Sequence, residues 1–137
     1  NHIKNCSNKG FIPCIRLNGT SDISFENTGI FEEFPNVQFY DYTKVLNYLN
    51  HDLNNYDVTF SDSGRNDSDI SAAIAGGHNV AVVFRDKLPK KWKGRRVING
   101  DRHDLRFRDP RGVIVGLVAK GLGRNINNKF IKAAVNG

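Results

Sequence analysis

Long apolar runs are missing from this sequence: none approaches the roughly 20 residues that a membrane-crossing helix needs. Its first residues, NHIKNCSNKG, hold no apolar signal-peptide core. These absences predict a soluble, non-secreted chain with no membrane partner and a cytoplasmic place. Cysteine is scarce, with Cys6 and Cys14 alone. Disulfide scaffolds use more cysteines in shorter chains, so two free thiols are expected, with a bridge across the N-terminal loop as the alternative. Also missing are the GxxxxGK[ST] phosphate loop, a GxGxxG after a strand, the GxSxG elbow, a CxxC pair and HExxH. No cofactor and no metal are therefore expected. There is no internal repeat, low-complexity tract or linker long enough to split the chain, which predicts one domain over residues 1–137. The start at Asn1 rather than Met fits the later part of a longer protein.

What is present is ordinary globular composition, 39% hydrophobic and 25% charged, on 137 residues. The net charge is +6 and the pI about 9.5, a balance that permits contact with nucleic acid or another polyanion. The chain is organised around Asn99 to Gly121. Its second half, Gly112 to Ala119 (GVIVGLVA), is the longest unbroken apolar, β-branched run, as a strand buried on both faces requires. Its first half crowds Asp101, His103, Asp104, Arg106, Arg108, Asp109 and Arg111 together.

Further strands are expected at Pro13–Leu17, Val37–Tyr42, Asp57–Phe60 and Asn79–Phe84, with Arg96–Ile98 extended and Leu105–Phe107 pairing with it locally. Helices are expected at Phe25–Phe34, after a Thr43 cap with Leu46, Leu49 and Leu53 on one face, at Asn66–Ala75, and at Ile126–Val135. Strand and helix alternate, which predicts βαβ units: an α/β fold with a mostly parallel sheet of five to six strands and flanking helices, open or an incomplete barrel.

Parallel α/β folds bind ligands beyond the carboxyl ends of their strands. That rule selects Asn18, Ser21 and Asp22 after the first strand, Asp41, Thr43 and Lys44 at the second, Ser61, Asp62 and Ser63 after the third, Arg85 after the fourth, and Lys120 after the last. A rim carboxylate at Asp41 near Lys44 or Lys120 suits acid–base or electrostatic work, and an ion pair tying strand to helix is the structural alternative. His103 and Asp104 offer a base with an orienting carboxylate, or turn chemistry alone. In Lys87–Arg96 (KLPKKWKGRR) six basic residues, Lys87, Lys90, Lys91, Lys93, Arg95 and Arg96, surround Trp92. Phosphates need Lys or Arg and an exposed Trp can stack on a base, whereas a packed Trp would merely anchor a solvated loop.

Several stretches resemble the phage gene-product-88 family. They are Arg16–Asp22 (RLNGTSD), Phe34–Lys44 (FPNVQFYDYTK), Thr59–Ser61, Asn79–Phe84, Leu88–Pro89, Gly100–Asp101, His103–Phe107, Asp109–Pro110 and Gly112–Gly121, in order from residue 16 to 121. The resemblance implies a mobile-element protein acting in a bacterial host cell, and it assigns no activity. Related domains are similar to radical-SAM-type barrels, but the three-cysteine motif of that chemistry is missing. Three functions are compatible with these residues: binding or processing of nucleic acid, catalysis on a small anionic metabolite at the strand-end rim, and binding of a host protein.

Overall fold

A computed structural model describes residues 1–125 and 127–134. Among the described residues one sheet holds eight strands: β1 (Cys14–Arg16), β2 (Gln38–Thr43), β3 (Tyr56–Ser61), β4 (Val80–Phe84), β5 (Lys91–Trp92), β6 (Arg95–Asn99), β7 (Ile114–Val118) and β8 (Ile131–Lys132). The order is β1-β2-β3-β4-β7-β6-β5, with β8 added beside the end of β4. Every pairing is parallel except the β5–β6 hairpin. The α/β reading holds. The strand count rises from the expected five or six because β5 and β8 are only two residues each, too short to show periodicity.

Alternation along the strands divides the sheet into two unlike faces. Phe39, Val58, Phe60, Val80, Val82, Phe84 and Ile114 point one way and form the core with Phe31 of α2 (Ile30–Glu33) and with Ile70 and Ala73 of α3 (Asp67–Ala75). A third helix, α1 (His2–Asn8), precedes β1, its N terminus capped by the Asn1 side chain. The opposite face carries Arg16, Tyr40, Tyr42, Thr59, Ser61, Ala81, Val83, Val115 and Leu117. Among the described residues no α-helix packs there. It is half covered by the Gly100–Asp109 segment, whose 3-10 turn Arg106–Arg108 packs over β2 and β3.

Four local expectations change. The Phe25–Phe34 helix splits into a 3-10 turn, Glu26–Thr28, and the four-residue α2, because Gly29 turns left-handed between them (φ 75°). After Thr43, whose Oγ1 accepts from Val45 N, only the 3-10 turn Leu46–Leu49 forms, in a stretch made helix-poor by Asn47, Asn50, Asn54 and Asn55. Leu105–Phe107 enters a 3-10 turn; β6 pairs with β5 and β7 instead. The last predicted helix is absent across 127–134, where Asn128 Oδ1 accepts from Phe130 N and Ile131 N and the chain enters β8; Ile126 and Val135 lie outside the described residues.

Candidate functional site

A cleft of about 680 Å3 opens on the helix-free face at the carboxyl ends of the strands. Its floor is apolar, made by Ala81, Val83 and Leu117 from β4 and β7. One wall is the loop after β1, Gly19 to Asp22, with Tyr42, Thr43 and Lys44 at the end of β2. The other is Gly100, Asp101, His103 and Asp104, with Lys120 beyond β7 and Ser61 and Phe130 completing the ring.

The carboxylates around this cleft are already engaged. Asp22 accepts from Thr43 Oγ1 and from Lys44 N, both at 2.7 Å, and so fastens the β1 loop to the end of β2. Asp101 Oδ2 accepts from Val118 N at 2.9 Å while Oδ1 stands 3.3 Å from Lys120 Nζ. Asp104 accepts from the Tyr42 hydroxyl at 3.0 Å and lies 3.6 Å from Arg16, whose guanidinium stacks over the Tyr42 ring. Lys44 has no ion pair among the described residues.

Of the proposed catalytic residues, Lys44, Lys120, His103 and Asp104 line the cleft and Asp41 does not. Asp41 points to the core side of β2, 1% exposed, and accepts from Asn18 N, Asn18 Nδ2 and Tyr56 Oη at 2.7, 3.1 and 3.1 Å. Burial pushes its carboxyl above the ordinary range, and those donors oppose the rise. Asn18 is buried with it; its Oδ1 accepts from Ser21 Oγ and Ile23 N, so the pair shapes the loop that walls the cleft. His103 and Asp104 are neighbours in sequence without being partners: Nδ1 of His103 accepts from Leu105 N at 3.2 Å. In neutral His103 the proton therefore sits on Nε2, which makes the ring a donor through Nε2 rather than a base oriented by Asp104.

Of the proposed binding residues, Ser21, Asp22 and Ser61 line the cleft. Ser63 turns away to the loop before α3, where its N–H donates to Asn66 Oδ1, and Arg85 donates to Arg124 O. The basic stretch is a hairpin turned at Lys93 (φ 45°) and Gly94 (φ 77°). Trp92 packs edge-on against Phe84 at 6.4 Å, Arg95 donates to Ile74 O of α3, and Lys93 pairs with Asp67 at 2.9 Å. Trp92 is packed as in the anchored-loop alternative, and its ring stays half-buried at the edge of a second cavity. Lys87, Lys90, Lys91 and Arg96 stay exposed.

Arg16, Tyr42, Gly100, Leu117 and Phe130 line the cleft but were not selected by the strand-end rule. The alternation Tyr40–Asp41–Tyr42 was a signal for two of the faces, since it separates Tyr42 from the buried Asp41. Among the described residues no helix is long and apolar enough to cross a membrane. Comparison with curated proteins finds no match, and neither does comparison with solved structures. The family model for gene product 88 matches residues 1–134, nearly the whole sequence, and the chain belongs to the gene product 88 family.

Proposed function

We propose that the protein binds and acts on a small anionic ligand in the cleft on its helix-free face. The observation that carries this reading is the convergence of Lys44, which has no ion pair among the described residues, with Arg16, Lys120 and His103 on one concavity whose three carboxylates each accept from an internal donor. An apolar floor with a few polar groups at the rim is the usual make-up of a small-molecule site. Lys44 and Lys120 would attract the charge, and Ser21, Ser61 and His103 Nε2 would fix orientation by hydrogen bonds. The test is thermal-shift and calorimetric titration with inorganic phosphate, nucleoside monophosphates and dicarboxylates. One of these classes should stabilise the protein. A Lys44→Ala/Lys120→Ala double variant should lose most of that effect, and Lys90→Ala should keep it. No response to any anion in the wild type sinks the reading.

Nucleic-acid binding is a second reading, favoured by a separate observation. Lys91 and its register partner Arg96 project from the sheet edge on the same side as the cleft, with Lys87 and Lys90 exposed nearby in sequence.

A further inference from the structure

We infer that Arg106 is a latent anion anchor of the cleft: its buried guanidinium receives the oxyanion of the ligand when the Gly100–His103 segment above it shifts. This rests on the small-anion reading and names the group that would hold the charge most specifically.

Arg106 is 1% exposed and its side chain is fully buried, on the same face of the sheet as the cleft. A guanidinium withdrawn from water needs partners for its N–H donors. Nη2 has them, donating to Gly100 O at 3.3 Å and to His103 O. Nε and Nη1 have no hydrogen-bond partner among the described residues. The Asp109 carboxylate stands 3.3 Å from Nε but is not aligned to accept, and its facing Oδ2 is equally unsatisfied. Nε and Nη1 therefore make no hydrogen bond, although Asp109 supplies a buried counter-charge.

Of the two unbonded nitrogens, Nη1 faces the cleft wall and Nε faces Asp109. A Cβ placed on Gly100 would lie 2.7 Å from Nη1 and 2.9 Å from Leu117 Cδ2, and both Gly100 and Leu117 line the cleft. Gly100 therefore borders both the guanidinium and the cavity. The segment that screens it is tied down mostly along its exposed edge, by Asn99 Oδ1 to Asp101 N, Asp101 Oδ2 to Val118 N, and the Tyr42 hydroxyl to Asp104. Moving Gly100 and His103 outward would free Nη2 as well. A carboxylate or phosphate would then replace two neutral carbonyls with a charged, bidentate acceptor that matches the planar fork.

The experiment follows the Arg106 Nε–Hε resonance, assigned through its own side-chain connectivities, in 15N-labelled protein titrated in separate arms with inorganic phosphate and with malonate. The arm that responds identifies the oxyanion. In that arm the resonance should shift along the same saturation curve as the amides of Gly100 and His103, and Arg106→Lys should weaken binding at least fivefold. A static Arg106 signal while the amides of Ser21, Lys44 and Lys120 saturate overturns the inference and leaves the small-anion reading standing. A smaller loss in a folded Arg106→Lys protein also overturns it. If neither anion moves any amide of the cleft, the inference is overturned, and the small-anion reading then rests on the nucleoside monophosphates of its own titration. Should Arg106→Lys not fold, the wild-type resonance decides alone.

Discussion

Asp41 collects three donors and is 1% exposed, so its chemistry is spent inside the fold. Truncating it would leave both Asn18 donors and the Tyr56 hydroxyl facing a void. Asp41→Ala should cost about 2–3 kcal/mol, read by urea unfolding. The pH dependence has a definite sign. Burial holds the folded carboxyl above its ordinary value of 3.8, so protonation favours the native state. That stability is fully present below the unfolded value and is lost as pH rises through the folded one, the reverse of a salt-bridged carboxylate. Asp109 is raised by burial as well, so the isolating comparison is wild type against Asp41→Asn, which cannot titrate there. The stability advantage of wild type over Asp41→Asn should shrink as pH rises above the ordinary carboxylate value of 3.8. An advantage that is constant, or that grows with pH, contradicts the burial argument.

Among the elements, the β5–β6 hairpin decides between two uses of a tryptophan. Trp92 is the sequence's single Trp, and its ring is held between the edge of Phe84 and the Lys93 ammonium, 5.4 Å from the ring centre. A base stacking there would have to displace Lys93 from the ring and from its pair with Asp67. Trp92 emission should therefore be unchanged by single-stranded DNA or RNA, while Trp92→Ala should cost about 2–4 kcal/mol. Quenching by an oligonucleotide at low salt contradicts this placement. The same elements show what a sequence discloses. The strands Val37–Tyr42, Asn79–Phe84 and Gly112–Ala119 were legible because β-branched and aromatic runs bounded by turn residues have few other solutions. The final segment was not: Phe130, Ala133 and Ala134 sit at helical spacing, yet the Asn128 side chain captures two backbone donors and diverts the chain into a strand. The strand-end rule found Lys44, Ser61 and Lys120, because a parallel sheet gathers those ends. It could not find Tyr42 or Leu117, because alternation assigns residues to two faces without saying which face the helices leave bare. Nor could it find Arg106, which reads as one more charge in a polar stretch until the fold closes over it.

At the scale of the molecule, the two functional readings part by geography. The cleft takes its cations from β1, β2 and the end of β7, whereas Lys87, Lys90, Lys91 and Arg96 gather at the far edge of the sheet. Polyanion binding through that edge would be dominated by counterion release, with a slope set by the number of phosphates neutralised. If all of these side chains meet phosphates of a single strand, log K against log salt should fall with a slope of about −3. Replacing Lys90 and Lys91 by Ala should reduce that slope by about 1.4, since each lost contact removes about 0.7. A Lys44→Ala/Lys120→Ala variant should lower affinity for a small anion and leave the edge slope intact. A slope that follows the cleft lysines instead would join the two surfaces into one track. Binding that ignores salt altogether would remove nucleic acid from consideration, because a protein carrying a net charge of +6 cannot hold a phosphate backbone without releasing its counterions.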